Sequence, residues 1–451
     1  MSRFLSRAGR WPLALIASSL AALGACADDE HRITAPVARP STPNMATGDV
    51  ITVTSSRGGT EEGTLRWAVA QATGGEIIRF DARLAGATIT LDSTLVITNA
   101  VKIEGPADKG VTLSAGGRGR VIDIPVNNSS SETTTLRNLN ITGGKLSTDG
   151  GAGIRTAESL ALQHVTVWGN EAPAAAAIFS LPYTTVTLFN STVSGNASTE
   201  YLGAAIRVGG ASSIQNSTIA YNNQGGIAFS DIDFATLSNS IVAHNGTLPA
   251  RNCAFTEKLQ WSGTNIATDF SCGDSTVMLI ADPLLGSLRD NGGPSMTHAV
   301  GAASPAFNAM GPCGVAVDQR YQPRDAACDV GAYESTERTT VALAIDRVAT
   351  LNPTGSVAVI TGTTRCSRAG DQFAVAVQVE QRGADKTVIA GTGVVNVACT
   401  TADAPWSVLV SPSAGAFRGG SATASAATRQ APTWVAPASA SRSIKLAVPA
   451  A

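Results

Sequence analysis

Charged and aromatic side chains are scarce in this sequence. Charged residues make up 15% and aromatic residues 5% of its 451 residues, whereas about 25% of the residues in an ordinary soluble domain are charged. The formal net charge is −2 and the basic residues form no cluster, which argues against nucleic acid as a partner. Long apolar runs are also lacking, because the run at residues 11–25 is short for a transmembrane helix. The sequence therefore argues against a polytopic membrane protein.

The N-terminus has the order of residues that is typical of a secretory signal. Arginines in residues 1–10 precede the apolar run, and the sequence LGAC at 23–26 resembles the lipobox of bacterial lipoproteins. The resemblance implies a signal peptide at residues 1–25 and a lipid on Cys26 that holds the protein at the outer membrane or cell surface. Ordinary cleavage that leaves Cys26 unmodified is the alternative. Residues 26–47 are polar and rich in proline, so they are predicted to be a tether.

Six further cysteines are present, an even number for an exported chain. Six cysteines allow about fifteen connectivities, but proximity in the sequence favours three local pairs. The predicted disulfides are Cys253–Cys272, Cys313–Cys328 and Cys366–Cys399. Metal binding is the weaker interpretation, because the sequence has no CxxC motif and no clustered histidines.

A repeat of 26 residues predicts the fold. The segments LRNLNITGG, LQHVTVWGN, LFNSTVSGN, IQNSTIAYN and LSNSIVAHN begin at residues 136, 162, 188, 214 and 237. Spacings of 26, 26, 26 and 23 residues between these starts are typical of a solenoid in which each repeat is one turn. Aliphatic residues alternate with polar residues inside each repeat, and β-branched residues are frequent, so the turns are predicted to consist of short strands.

Two positions in each repeat carry Asn, Gly or His at the predicted corners. The first position is predicted to form a ladder of stacked side chains, with His164 in place of an Asn. It comprises Asn138, His164, Asn190, Asn216 and Asn239. The second position holds Gly or Asn and is predicted to need a left-handed backbone. It comprises Gly144, Asn170, Asn196, Asn222 and Asn245.

These features predict an all-β protein whose residues 48–334 form a right-handed parallel β-helix. The segment Thr64 to Thr73 has an apolar helical face and is predicted to be a helical cap that covers the exposed N-terminal strand. Residues 338–451 contain about seven alternating strands and the pair Cys366 and Cys399, so they are predicted to form a small immunoglobulin-like β-sandwich with Trp406 in its core.

Three stretches within residues 49–334 resemble known surface proteins. The segment ITVTSSRGGTEEGTLRWAVAQA resembles the N-terminal cap of bacterial surface β-helices, and the Asn-rich repeats resemble polymorphic outer-membrane proteins and the pectate-lyase-like superfamily. The segments at 282–307 and 318–334, which include DPLLGSLRDNGGPSMTHAV and DQRYQPRDAACDVGAYE, resemble the choice-of-anchor Q domain. That resemblance implies a surface protein held by one of several kinds of anchor, here the Cys26 lipid, with no established biochemical role.

Acidic residues are lacking where a β-helix enzyme would need them. Enzymes of this architecture that cleave polysaccharides cluster carboxylates on one face, yet the outward positions predicted for the second strand of each repeat hold no acid. They are Asn140, Thr142, Thr166, Trp168, Thr192, Ser194, Thr218 and Ala220. Asp231 and Asp233 are the one close acidic pair of the repeats and a candidate calcium site; otherwise no cofactor is expected. No Ser-His-Asp order is evident, and His298 is predicted to be structural.

Exposed aromatic residues favour binding over catalysis. Trp168, Tyr183 and Tyr201 are predicted to contact sugar rings, with the alternative that they only cover coil edges. The sequence therefore supports two hypotheses. The first is a monomeric, non-enzymatic surface protein that binds glycans, matrix or other cells. The second is a polysaccharide lyase or glycoside hydrolase with a divergent site.

Overall fold

The structure is a computed structural model. It describes residues 48–126, 132–200, 203–230, 234–246, 251–310, 313–367, 369, 372–383, 385–429, 431 and 435–449. The predicted signal peptide, Cys26 and the tether lie outside these residues.

Residues 50–280 form a parallel β-helix with three sheets. The first sheet contains Val50–Val53, Ile77–Phe80, Lys102–Glu104, Thr134–Arg137, Leu160–Gln163, Val186–Phe189, Ser212–Gln215, Ala235–Ser238 and Leu259–Ser262. The second sheet contains Thr88–Thr90, Val111–Ser114, Leu139–Thr142, Thr166–Trp168, Thr192–Ser194, Thr218–Ala220, Ile241–Ala243, Ile266–Ala267 and Leu279–Ile280. The third sheet contains Leu95–Val96, Ile122–Ile124, Ile154–Thr156, Ile178–Ser180, Ile206–Val208, Ile227–Phe229 and Cys253–Ala254. A further two-stranded sheet pairs Glu171–Ala172 with Ala197–Ser198.

The repeat places identical positions on top of one another. The first aliphatic positions, Leu136, Leu162, Leu188, Ile214 and Leu237, are register partners along the first sheet. Each of them is at most 1% exposed, and together with the aliphatic residues of the other two sheets they form one continuous core. Burial of this stack is the main stabilising contribution to the solenoid. The predicted β-helix is confirmed.

A short helix covers the N-terminal end of the core, as predicted. It spans Leu65–Gln71, and Thr64 caps it by accepting a hydrogen bond from the Trp67 amide at 3.2 Å. Leu65, Ala68 and Val69 are buried in the core of the β-helix. A single turn of 3-10 helix follows at Ala82–Leu84.

The roles predicted for the two corner positions are wrong, because the structure exchanges them. The predicted ladder residues Asn138, His164, Asn190, Asn216 and Asn239 have φ angles of 45° to 58° and are the left-handed corners. The ladder instead joins Asn170, Asn196, Asn222, Asn245 and Asn252, where each Nδ2 donates to the next Oδ1 at 2.8–3.1 Å. Asn fits both roles, because it tolerates positive φ and carries a donor and an acceptor. Residue type alone therefore could not separate them.

A segment that we call the cover, residues 282–310 and 313–335, lies across the outer face of the second sheet. The polar outward positions predicted there do point out of the β-helix, but the cover buries them. Thr192 Oγ1 donates to Gln319 Oε1 at 2.7 Å, and the Ala332 amide donates to Thr218 Oγ1 at 3.1 Å. Further along, Ile241 and other outward residues form a second apolar core with cover residues such as Phe307. The cover therefore closes the second sheet to large ligands along the coils that it spans, whereas Thr88 and Thr90 at the N-terminal end of the sheet stay exposed.

Buried ion pairs hold the cover together. Arg324 has a fully buried side chain that contacts Glu334 Oε2 at 3.0 Å and donates to the carbonyl oxygens of Asp329 and Gly331. Asp318 and Arg320 form a second buried pair at 2.7 Å. Asp329 is a second buried acid of this group, and its carboxylate accepts the backbone amides of Asn308 and Ser335. Burial raises the pKa of Asp329 to about 8 and that of Glu334 to about 7.

These shifts predict that the protein loses stability above neutral pH. A carboxyl group in the unfolded chain loses its proton near pH 4, whereas folded Asp329 and Glu334 lose theirs only near pH 8 and pH 7. Unfolding between about pH 4 and pH 8 therefore releases protons, so the free energy of unfolding falls as pH rises. Burial lowers the pKa of His164 and His298. These two residues therefore make the free energy of unfolding rise with pH, but only below about pH 6.5, where an unfolded histidine is protonated. We therefore expect urea denaturation to show a loss of about 1–2 kcal/mol between about pH 6.5 and 8. Asp329→Asn should flatten that loss, and a stability that rises over this interval would contradict the assignment.

The C-terminal region is a separate all-β unit with its own core. Its strands are Val341–Ile345, Val348–Leu351, Ala358–Cys366, Gln372–Arg382, Val388–Ala398, Ala404–Pro412, Gly420–Arg429 and Ser439–Ala447. The strand Ala358–Cys366 pairs with Ala404–Pro412 on one side and with Val348–Leu351 on the other, so the sheet closes on itself. The two layers of the predicted sandwich are thus joined into a barrel-like sheet around Trp406, which is 4% exposed.

All three predicted disulfides are present: Cys253–Cys272, Cys313–Cys328 and Cys366–Cys399. One lies in the last coils, one in the cover and one in the C-terminal barrel. Each part of the chain therefore carries its own covalent link between residues that are close in sequence.

Candidate functional site

The structure separates the residues that the sequence proposed as ligand contacts. Trp168 is half-buried on the second sheet, and its indole Nε1 is buried without a hydrogen-bond partner in the described part of the chain. Tyr183 is 86% exposed. Tyr201, Asp231 and Asp233 lie outside the described residues. Within those residues no group of three or more His, Cys, Asp and Glu side chains could hold a metal ion.

A Ser–His pair lies beneath the cover, although the sequence order gave no sign of it. Ser194 Oγ is 2.8 Å from His298 Nε2, and His298 Nδ1 is 2.7 Å from the carbonyl oxygen of Gly286. Both residues are at most 3% exposed, and the partner of Nδ1 is a carbonyl rather than a carboxylate. A nucleophile needs substrate access and an oriented base. The pair therefore serves to fasten the cover, in line with the structural role predicted for His298.

The third sheet presents a row of large polar and aromatic side chains to solvent. The strands Ile154–Thr156, Ile178–Ser180 and Ile206–Val208 bury their first and third residues and turn the middle one outward. The outward residues Arg155, Phe179 and Arg207 are register partners on successive coils, and Asp123 precedes Arg155 in the same row. Adjacent parallel strands are about 4.8 Å apart, so these side chains form a closely spaced line.

Four charged residues neutralise one another at the start of this row. Arg155 forms a bidentate pair with Asp123 at 2.7 and 2.9 Å, and Arg120 contacts Asp149 at 2.7 Å. Burial opposes ionisation of Asp149, but the Gly150 amide and the Arg120 guanidinium hold its pKa below the ordinary value. The hydrogen bonds that Arg155 donates to the Asp123 carboxylate raise the pKa of Arg155. A general acid needs a raised carboxyl pKa, so this network does not supply one.

An arginine lies over an aromatic ring at the other end of the row. The guanidinium carbon of Arg207 is 5.7 Å from the centroid of the Phe179 ring, which is a cation–π geometry. Arg207 Nε also donates to Ser230 Oγ at 2.9 Å, and the residue is exposed. Tyr183 follows the Phe179 strand, and its amide donates to the carbonyl oxygen of Gly209, two residues after Arg207. We call Arg155, Phe179, Tyr183 and Arg207 the third-sheet strip.

The strip could have been found in the sequence. The core residues Ile154, Ile178 and Ile206 stand at equivalent positions, and the residue after each is Arg, Phe and Arg. A strand exposes alternate residues, so the residue after a core isoleucine must face outward. The outward residues predicted from the sequence were those of the second sheet. Arg155, Phe179 and Arg207 on the third sheet were not predicted, although Tyr183 was.

Comparisons with known proteins add little to this description. No protein-family model matches the chain, and no curated protein is significantly similar to it. Among solved structures, the tailspike protein of the Acinetobacter phage vB_ApiP_P1 is similar over 88% of each chain, with 13% identity and a TM-score of 0.24. A likeness at that TM-score carries no argument about function, so the fold assignment rests on the strand register. The resemblance to the choice-of-anchor Q domain and to lipoproteins stays a prediction. No helix among the described residues could span a membrane.

Proposed function

We propose that this protein is a non-enzymatic, surface-anchored β-helix that binds glycans on its third-sheet strip. The observation that carries the proposal is the line of Arg155, Phe179 and Arg207 on three successive coils, with the Arg207 guanidinium over the Phe179 ring. The predicted lipid on Cys26 would hold the strip at the bacterial surface. Glycans of a matrix or of another cell are then the partners within reach.

The chemistry of the strip suits a sugar chain. An aromatic ring offers an apolar face to the C–H groups of a pyranose, while a guanidinium donates several hydrogen bonds in fixed directions to hydroxyl or carboxylate oxygens. Alternation of these groups along the helix axis matches a ligand that is itself a repeating chain. Arg155, Phe179 and Arg207 lie on strands, and Tyr183 lies in the short turn that follows the Phe179 strand. The three strand residues are therefore held in place without ordering on binding.

The described carboxylates near the strip favour binding over cleavage. Polysaccharide hydrolysis needs one protonated and one ionised carboxyl group, or a nucleophile and an acid, on either side of the scissile bond. Asp123 is paired with Arg155, and Asp149 is paired with Arg120, so both carboxyl groups are engaged in ion pairs within the protein. A lyase or hydrolase with a divergent site is therefore the weaker candidate.

The proposal is tested with two variants of the full-length protein, purified in detergent and screened on an array of neutral and acidic oligosaccharides. We expect Arg207→Gln and Tyr183→Ala each to weaken binding of the strongest array ligand about tenfold, the equivalent of about 1.4 kcal/mol. Both residues are exposed, so the melting temperature should stay unchanged. Arg382→Gln is the matched control, because it removes an exposed arginine from the C-terminal barrel. Equal binding by Arg207→Gln and the wild type would reject the strip as the site.

A further inference from the structure

Two aromatic residues replace glycine at a strained position of the β-helix. The residue before the second corner position, which is Gly144, Asn170, Asn196, Asn222 or Asn245, has a left-handed backbone in five successive coils. It is Gly143, Gly169 and Gly195 in the first three, with φ angles of 70°, 62° and 62°, and then Tyr221 at 58° and His244 at 55°. Bulky side chains are disfavoured there, whereas Gly or Asn fits at little cost. Strain of this kind is found mainly where a side chain has a use.

The side chains of Tyr221 and His244 form an ordered surface cluster with Asp282. The two rings are stacked, with centroids 5.1 Å apart and planes inclined by 10°. His244 Nε2 lies 2.9 Å from Asp282 Oδ1, which also accepts the Leu284 amide at 2.8 Å. Tyr221 is 42% exposed, and the side chains of His244 and Asp282 are 31% and 55% exposed. We call these three residues the platform.

The platform has unused binding capacity on the solvent side. Among the described residues, no hydrogen-bond partner reaches Asp282 Oδ2 or His244 Nδ1. The coil that precedes Tyr221 carries Gly195 at the equivalent position, where an added Cβ would meet no atom within 4 Å. One ring face of Tyr221 packs on His244, and the ring of His298 lies 5.2 Å from the Tyr221 ring, inclined by 49°. The Tyr221 hydroxyl also donates to the carbonyl oxygen of Leu285 at 3.5 Å. The residue is nevertheless 42% exposed, so the rest of the ring faces solvent.

The geometry points to the platform as a second binding site, for the pyranose ring of an uncharged sugar. The solvent-exposed part of the Tyr221 ring can contact the apolar face of the sugar ring, and Asp282 Oδ2 and His244 Nδ1 can accept hydrogen bonds from adjacent ring hydroxyls. An aromatic face beside a few convergent polar atoms is the usual composition of a small-ligand site. This inference shares the glycan chemistry of the proposed function but depends on none of the residues of the third-sheet strip.

The competing explanation is structural, since the contact between His244 and Asp282 also fastens the first residue of the cover. The two explanations differ in what Tyr221→Gly should do. If the side chain serves binding, glycine restores the pattern of the preceding coils and the melting temperature stays the same or rises by about 2 °C. If the side chain serves stability, loss of the stacked ring lowers the melting temperature.

Binding is measured by titration of the full-length protein in detergent with neutral hexasaccharides of glucose, mannose and xylose. We expect the wild type to bind at least one of them with a dissociation constant of about 1 mM, and Tyr221→Gly to weaken that binding about tenfold. Tyr221→Phe keeps the ring and should bind like the wild type. Asp282→Asn keeps the oxygen that accepts from His244 and changes only the unpaired one, so it should weaken binding several-fold without a change in melting temperature.

Three results would overturn the inference. The first is that the wild type binds none of these sugars at about 10 mM. The second is that Tyr221→Gly binds as tightly as the wild type, and the third is that Asp282→Asn does so. Arg382→Gln, in the C-terminal barrel, is the control and should leave the binding of neutral sugars unchanged. The Tyr221 and Asp282 variants leave the third-sheet strip intact. If the Tyr221 and Asp282 variants bind sugars like the wild type, the platform is therefore rejected while the proposed function of the third-sheet strip stands.

Discussion

Replacing Arg324 with leucine should lower the free energy of unfolding by about 3–5 kcal/mol at pH 8. The guanidinium pairs with the buried carboxylate of Glu334 at 3.0 Å and also donates to the backbone carbonyl oxygen of the second buried acid, Asp329. Removal of one partner leaves the other charge buried and unpaired. At pH 6 the loss should be smaller, because both acids have raised pKa values and can take up a proton.

Urea denaturation at the two pH values measures this effect. Arg382→Leu is the control, since it removes an exposed arginine and should change stability by less than about 0.5 kcal/mol. If Arg324→Leu were as mild as the control, the cover would be a loosely attached segment. The second sheet would then have to be considered again as a ligand surface.

The Asn ladder should produce the second large effect. Asn196 accepts from Asn170 Nδ2, and its own Nδ2 donates to Asn222 Oδ1 and to the carbonyl oxygen of Val167. Asn196→Ala leaves several buried groups without partners, each of which costs about 1–3 kcal/mol. Some relaxation is expected, so we predict a total loss of about 3 kcal/mol in the free energy of unfolding.

Asn216→Gly is the matched comparison for the ladder variant. The side-chain amide of Asn216 makes no hydrogen bond in the described structure, and the φ angle of 48° at this residue suits glycine. We therefore expect a change below about 1 kcal/mol, measured by the same denaturation. The opposite ranking, with Asn216→Gly more destabilising than Asn196→Ala, would restore the ladder that the sequence suggested.

The β-helix was predictable because its contacts repeat. Leu162 meets Leu136 and Leu188, each 26 residues away, so one short pattern specifies both the strand and its neighbours. The local disulfides were predictable for a similar reason, since their partners are 15 to 33 residues apart.

The surfaces were harder to predict because they depend on contacts between distant residues. Tyr321 stacks on His164 at 4.2 Å, and the Gln319 carbonyl lies 3.1 Å from His164 Nδ1. Nothing in the repeat indicates that a segment more than 100 residues later will cover one sheet and leave another open. Residue type alone also left Asn with two possible corner roles, and the strain at Tyr221 is visible only once φ is known.

The most direct test of the central claim is to follow a bound glycan over time. The strongest array ligand is incubated with the full-length protein, and mass spectrometry measures both the complex and the free oligosaccharide. Our account predicts a complex that is lost in Arg207→Gln, with an oligosaccharide whose mass does not change. Shorter or unsaturated products that form with the wild type and not with Arg207→Gln would contradict it and identify the strip as the active site of an enzyme.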